Sequence, residues 1–202
     1  MKQSVRDVFV EFSTKFDSCV PWMYLDREGM VRAGIGCLLE PIDRAFGLPW
    51  VHKDDGHNAE MNEISSDWVR VKKNRLLAHQ GPSRARFYTS LELTKEGVEK
   101  LTFGRIDAHE AYLIAHVFPA FEGYPADAQL AILSMLWALG DPLQLKPSFV
   151  KAVLEEAWTV AAEECFLSET LMPERKPRNW AGRKLLVVAA TTETPEKVTG
   201  WP

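Results

Sequence analysis

Apolar residues recur at three- and four-residue steps near the start of the chain, which is the spacing of an amphipathic helix. This helix is expected from about Ser4 to Phe16, with its apolar face formed by Val5, Val8, Phe9, Phe12 and Phe16. Two extended segments follow, Val20–Leu25 and Met30–Ile35, separated by the turn sequence Asp26-Arg27-Glu28-Gly29. Two short strands joined by a glycine-containing turn predict a β-hairpin.

The remainder of the chain is predominantly helical in its pattern. We expect a short helix over Pro41–Phe46, a polar loop over His52–Asn58, and longer helices over Glu60–Ala78 and Thr94–Val117, the second capped by Thr94. The first of these longer helices has one apolar face, formed by Met61, Ile64, Trp68 and Val71. A helix over Ala128–Leu139, with Asp127 as a cap-like residue, is apolar all round and predicts the buried centre of a helical lobe. Three further helices and a loosely ordered tail from Thr191 complete the prediction; the helices are Phe149–Trp158, Thr159–Phe166 and Pro177–Ala190.

Composition narrows the classes of function. The 202 residues carry a formal charge of −4, which gives no reason to expect whole-molecule attraction to nucleic acid or to an anionic surface. Three cysteines, Cys19, Cys37 and Cys165, lack ligand-type spacing, so neither a disulfide framework nor a metal site is predicted, and no cofactor is implied.

Polar residues interrupt the apolar N-terminal stretch, and no long apolar run follows. We therefore expect cytoplasmic synthesis without a signal peptide and no membrane span.

The hairpin sequence MYLDREGMVRAGIGCLLE resembles the hairpin of the phage-type lysozymes, the endolysins or muramidases. Three later segments agree with that family in order and spacing: LTKEGVEKL, YPADAQLAILSMLWALG and PRNWAGRKLL. The resemblance implies an α+β, mainly α, lysozyme-like domain of two lobes whose cleft binds peptidoglycan glycan strands. Its lobes would be residues 17–58 (hairpin lobe) and residues 1–16 with 80–202 (helical lobe), joined by a connecting helix over residues 60–78.

The resemblance also assigns candidate site residues. In the family a Glu nine residues before the hairpin Asp is the general acid, and the Asp and a Thr hold the attacking water. In this chain Asp17 occupies the acid position, Asp26 the Asp position and Arg32 the Thr position. The substrate-binding positions implied by the same family are Tyr24, Gly34, Gly36 and Cys37, where Cys37 replaces the family's His, and Arg178 and Arg183 near the C-terminus.

The altered positions weaken the predicted chemistry. Inverting glycoside hydrolysis needs a protonated carboxyl and a carboxylate about 6.5–9.5 Å apart with a water between them. Asp17 is one methylene shorter than Glu, and a misplacement of roughly an ångström can cost about a hundredfold in rate. Arg32 would favour the ionised form of Asp17 and fill the volume of the water. Glu28 or Glu11 could replace Asp17 as the acid, and Arg32 is equally consistent with a structural ion pair to Asp26 or Glu28.

Several other features have two interpretations. Arg178 or Arg183 either orients Asp17 or caps the last helix, and Cys19 with Cys37 is either a thiol pair or small-residue packing. His109 and His116 share a helix face without a third metal ligand. A basic stretch without acidic residues either contacts a polyanion or is a solvated helix face; its cations are Arg70, Lys72, Lys73, Arg75, Arg84 and Arg86.

The expected function is that of a peptidoglycan-directed hydrolase, weakened by its altered site, which cleaves the β-1,4 bond between N-acetylmuramic acid and N-acetylglucosamine. Such an enzyme would be a phage lysozyme released through a holin, or an antibacterial toxin effector delivered by a secretion machine with an immunity or delivery protein as partner. It would act on the cell wall or in the periplasm. The alternative is a catalytically inactive pseudoenzyme that binds glycan or protein, and no nucleic acid is expected as a partner.

Overall fold

The computed structural model describes residues 1–168 and 175–201. It is an α+β structure, mainly helical with small sheets, as the sequence predicts. The chain divides into two compact units, one formed by Met1–Phe16 with Ile106–Pro202 and the other by Asp17–Arg105. No helix in the described part of the chain is long and apolar enough to cross a membrane. The two-lobed lysozyme-like arrangement and its predicted boundaries stay predictions.

The predicted hairpin is confirmed in the second unit. Strand β1 spans Val20–Leu25 and pairs antiparallel with β2, Val31–Gly34. A third strand that the sequence did not predict, β3 at Cys37–Leu38, extends the sheet in the order β1-β2-β3. The inward side chains of this sheet are apolar and buried, which fixes the register of the strands; they include Val20, Met23, Leu25, Val31 and Ala33.

A second small sheet lies in the same unit. Strand β4, Trp50–His52, pairs antiparallel with β5, Leu91–Leu93, so that Trp50 lies opposite Leu93. The prediction of a loop from His52 to Asn58 was therefore wrong at its first residue. The short helix predicted over Pro41–Phe46 is a single 3-10 turn, Ile42–Arg44.

One predicted helix is divided into three. Helix α2 spans Met61–Lys73 and ends at Asn74, whose ψ of 77° leaves the helical region. Two short helices follow, α3 at Leu77–Gln80 and α4 at Pro82–Ala85, and then a 3-10 turn at Arg86–Tyr88. The prediction of one helix over Glu60–Ala78 was therefore wrong beyond Lys73. Its predicted apolar face was also wrong at Met61, whose side chain is 64% exposed.

Helix α5, Lys95–His116, belongs to both units, because its residues up to Arg105 lie in the second and the remainder in the first. The Thr94 hydroxyl accepts a hydrogen bond from the Gly97 amide at 3.1 Å. Thr94 therefore caps the helix as predicted, because it satisfies one of the amides that have no partner inside the first turn.

The first unit is a helical core built around α6, Ala126–Leu139. This helix is buried on all sides and packs against α1, Gln3–Thr14, and α9, Lys176–Ala189. Helices α7, Pro147–Leu154, and α8, Trp158–Glu164, pack against each other, and α8 packs against α9. The predicted central position of the apolar helix is therefore confirmed.

The C-terminal tail is fixed to this core, contrary to its predicted loose order. The carboxylate of Asp127 is fully buried and accepts hydrogen bonds from the Thr199 amide and hydroxyl and from the Gly200 amide, at 2.8–3.1 Å. Trp201 packs edge-on against Phe12 with ring centres 4.7 Å apart. Asp127 thus lies inside the first turn of α6 and anchors the tail, whereas Pro125 occupies the N-cap position predicted for it.

Candidate functional site

Asp26 closes the turn between β1 and β2 with both its backbone and its side chain. Its amide donates to the Met30 carbonyl at 2.9 Å, and its carbonyl accepts from the Gly29 amide at 3.0 Å. Carboxylate Oδ1 accepts from the amides of Glu28 and Met30, each at 2.9 Å. This is the arrangement by which Asp side chains commonly stabilise turns, so one carboxylate oxygen is used for structure.

The second oxygen of Asp26 faces Arg32. The Arg32 Nε atom donates to Asp26 Oδ2 in an ion pair, and Nη1 donates to the Gly36 carbonyl at 2.9 Å. Only 16% of the Asp26 side chain and 27% of the Arg32 side chain are exposed. The ion pair between these residues, one of the alternatives that the sequence left open, is therefore present. A water on Asp26 Oδ2 would compete with a charge-assisted hydrogen bond.

Tyr24 lies directly opposite Arg32 in the strand register. Burial raises the pKa of Tyr24 to about 12, with Arg32 opposing the shift and Asp26, Cys37 and Asp17 adding to it. These groups therefore lie in one electrostatic environment inside the second unit.

Gly34 and Gly36 each have a positive φ that favours glycine, of 62° and 70°. Gly36 lies beside Tyr24, because a Cβ added to it would be 4.0 Å from the tyrosine hydroxyl. Gly34 faces α5, where an added Cβ would lie 3.5 Å from Leu101 and 3.8 Å from Val98. Gly34 thus lies where the hairpin packs on α5, and Gly36 lies beside the tyrosine of the candidate site.

Arg105 is a member of this cluster that the sequence analysis missed. Burial lowers the pKa of the Arg105 guanidinium, and the nearby Arg32 lowers it further, while Cys37 and Asp17 oppose the shift. Arg105 follows Leu101 by one helical turn on α5, and the Leu101 carbonyl accepts from the Cys37 thiol at 3.9 Å. The only sequence signal was an arginine within the otherwise weakly polar segment LTFGRI.

The thiols of the cluster are poor nucleophiles. Burial raises the pKa of Cys37 to about 11, against the opposing effect of Arg105, and burial also raises the pKa of the more exposed Cys19. A thiol rather than a thiolate is therefore the form present at neutral pH. This favours small-residue packing over the thiol pair considered from the sequence.

Asp17 is half-buried and acts electrostatically on both Tyr24 and Arg105. The structure thus brings together the predicted residues Asp17, Tyr24, Asp26, Arg32 and Cys37, and adds Arg105. Two carboxylates and two guanidinium groups make the cluster formally neutral.

Arg178 and Arg183 lie in the first unit, on α9. Arg178 is buried and donates from Nη1 to the Ser134 hydroxyl at 2.9 Å, and its guanidinium stacks 4.9 Å from the Phe16 ring centre. Arg183 stacks over Trp180 at 5.5 Å. Arg178 therefore fixes α9 against α6, and the orientation of Asp17 by either arginine stays a prediction.

Within the described residues, no group of three or more His, Cys, Asp or Glu side chains is placed so that it could hold a metal ion. His116, one of the two histidines that share a face of α5, stacks on Tyr112 with ring centres 4.7 Å apart.

No protein-family model matches this chain, and no curated protein is similar to it in sequence.

Proposed function

We propose that this chain is a lysozyme-like protein that binds peptidoglycan glycan strands and has lost most of its muramidase activity. The proposal joins two sources of support. The order of segments in the sequence resembles the phage-type lysozymes, and the residues at the implied catalytic positions share one half-buried cluster in the second unit. The protein would act at the cell wall or in the periplasm after delivery by a holin or a secretion machine.

The loss of activity is proposed chiefly because Asp26 forms an ion pair with Arg32. Inversion requires a carboxylate with a free oxygen that orients water toward the sugar ring. In this chain Oδ1 of Asp26 accepts two turn amides, and Oδ2 accepts from Arg32. Three of the roughly four acceptor positions of this carboxylate are therefore occupied. A water would have to share Oδ2 with the charge-assisted hydrogen bond from the guanidinium, which restricts where it can lie.

The residue at the acid position, Asp17, also weakens the proposed catalysis. A general acid must reach the leaving oxygen to deliver its proton. Asp17 is one methylene shorter than the Glu that the resemblance implies at this position, and a misplacement of roughly an ångström can cost about a hundredfold in rate. The shorter side chain therefore opposes proton delivery more than it opposes the binding of a glycan.

An active muramidase is the second candidate, with Asp17 as the acid and Asp26 as the residue that positions water. It is favoured by the common environment of Asp17 and Asp26, which both act on Tyr24. This mechanism would need substrate binding to move Arg32 away from Asp26. A protein-binding pseudoenzyme is the third candidate, and it predicts no affinity for glycan.

The experiment is co-sedimentation with insoluble peptidoglycan, followed by measurement of reducing ends released into the supernatant. We expect the wild-type protein to sediment with peptidoglycan and to release few reducing ends, and the Asp17→Ala variant to sediment equally well. Release that is rapid in the wild type and absent in Asp17→Ala and Asp26→Ala would instead establish the muramidase. Failure of the folded wild-type protein to sediment with peptidoglycan would overturn both glycan-directed candidates.

A further inference from the structure

The 3-10 turn Arg86–Tyr88 in the second unit presents cations and an aromatic ring to solvent. The Phe87 side chain is 76% exposed, and the Arg84 guanidinium lies 5.7 Å from its ring centre. The exposed Arg86 lies 5.3 Å from the ring centre of Trp22 on β1. We call Trp22, Arg84, Arg86 and Phe87 the basic-aromatic surface.

Contacts from neighbouring elements hold the backbone of this surface in place. The Lys53 Nζ atom donates to the carbonyls of Arg86 and Thr89, at 2.9 and 2.7 Å, and to the Thr89 hydroxyl at 2.6 Å. Arg70 Nη1 donates to the Tyr88 carbonyl at 3.1 Å, and Trp22 Nε1 donates to the Pro82 carbonyl at 2.9 Å. The side chains of Arg84, Arg86 and Phe87 therefore project from a fixed turn, which reduces the entropy lost on binding.

The segment around this surface has an excess of positive charge. It contains no acidic residue between Val69 and Phe87. Two of its cations are compensated, because Arg70 pairs with Asp67 at 2.8 Å and Lys72 pairs with Glu40 at 2.6 Å. Four exposed cations have no carboxylate within ion-pair distance in the described part of the chain: Lys73, Arg75, Arg84 and Arg86. This segment can therefore attract an anion, although the protein as a whole carries a net negative charge.

We infer that the basic-aromatic surface docks on an anionic phospholipid bilayer. Arginines can contact lipid phosphates while an exposed phenyl ring inserts at the level of the headgroups, and this pairing of side chains is typical of interfacial binding. Leu76, 68% exposed and next to Arg75 in the sequence, supplies a second apolar side chain to the same segment. A polyanion without aromatic groups would use the arginines but would leave Phe87 and Leu76 exposed to water. A single-stranded nucleic acid would stack its bases on Phe87 but would leave Leu76 exposed.

The test is co-sedimentation of the full chain with vesicles of phosphatidylglycerol and phosphatidylcholine, compared with vesicles of phosphatidylcholine alone. We expect binding to the anionic vesicles only, weakened by added salt. Arg84→Gln with Arg86→Gln should lower the affinity by about twenty-fivefold, since each cation near an anionic membrane contributes roughly a factor of five. Phe87→Ser alone should lower the affinity for the anionic vesicles by about fivefold, because the phenyl ring no longer contributes apolar contact.

The matched control is Arg44→Gln with Lys95→Gln, which makes the same change in charge at two exposed positions of the same unit. We expect its vesicle binding to equal that of the wild type, and all variants to keep the wild-type unfolding midpoint and peptidoglycan binding. Absence of binding to anionic vesicles would overturn the inference. So would a Phe87→Ser variant that binds the vesicles like the wild type while the arginine variant does not, because this result would show that the phenyl ring does not enter the bilayer and that the contact is electrostatic only.

Discussion

The Arg32 guanidinium and the Asp26 carboxylate form an ion pair at the base of the β1–β2 turn. Asp26 also accepts two amides of that turn, so the same carboxylate stabilises the hairpin and determines what the candidate site can do. The lysozyme-like proposal assigns Asp26 to catalysis, whereas in the structure both of its carboxylate oxygens have structural partners.

The first prediction concerns the stability contributed by Asp26. Asp26→Ala removes two turn hydrogen bonds and leaves the partly buried Arg32 without its carboxylate, so it should lower the free energy of unfolding by about 2–3 kcal/mol. Urea unfolding measures the loss. Asp43→Ala, which removes an exposed carboxylate from the same unit, is the control and should change stability by less than about 0.5 kcal/mol. Equal effects of the two substitutions would contradict the structural role of Asp26.

The second prediction concerns alkaline pH. Burial raises the pKa of Cys37 from its usual 9.0 to about 11, so above pH 9 the unfolded chain releases a proton that the folded protein retains. The unfolded state then binds fewer protons, and stability falls as pH rises from about 9 to 11. For Cys37 alone this loss is about 2 kcal/mol. Thermal unfolding across this range should show the decline.

Cys37→Ala should make that decline shallower, whereas Cys19→Ala, at an exposed thiol, should change it less. The comparison uses the slope of stability with pH, because the slope is insensitive to a constant loss of packing. A slope that is the same in Cys37→Ala as in the wild type would show that this thiol titrates normally in the folded state.

The third prediction concerns the C-terminal tail. Asp127→Ala removes the buried acceptor of the Thr199 and Gly200 amides and should destabilise the first unit by about 2–4 kcal/mol. It should also make the tail sensitive to limited proteolysis before the helices are cut. Asp141→Ala, which removes an exposed carboxylate that caps a short 3-10 turn, is the control. A tail that stays protected in Asp127→Ala would show that its other contacts retain it, which include Trp201 on Phe12 and the hydrogen bond from the Ala126 amide to the Pro195 carbonyl at 2.7 Å.

The sequence predicted those elements whose signals are local. The turn residues of the hairpin, the Thr94 cap and the continuous apolar surface of α6 each form a pattern within a few turns or strands of the chain. The sheet of β4 and β5 could not be found in this way, because Trp50 pairs with Leu93 across about forty residues and each strand has only three. Asn74 likewise ends α2 without a glycine or proline as a signal.

In the candidate site, too, the residues that lie close together in the sequence could be predicted, and a residue from a distant element could not. Asp17, Tyr24, Asp26, Arg32 and Cys37 were identified from one continuous stretch, and the structure brings them together. Arg105 could not be identified, because only folding places this residue of α5 beside Cys37. The tail was misjudged for a related reason, since its polar sequence gives no sign that a buried carboxylate accepts its amides.

In the proposed function Arg32 suppresses cleavage, so its replacement should increase cleavage. The measurement is the rate of reducing-end release from peptidoglycan by Arg32→Thr and by Arg32→Thr combined with Asp17→Glu. We predict slow release by the wild type, faster release by Arg32→Thr, and a further gain of about a hundredfold when the longer acid is restored. Arg27→Thr, at an exposed arginine of the same turn, should remain slow. Folded variants that still bind peptidoglycan but release reducing ends no faster than the wild type would contradict the claim.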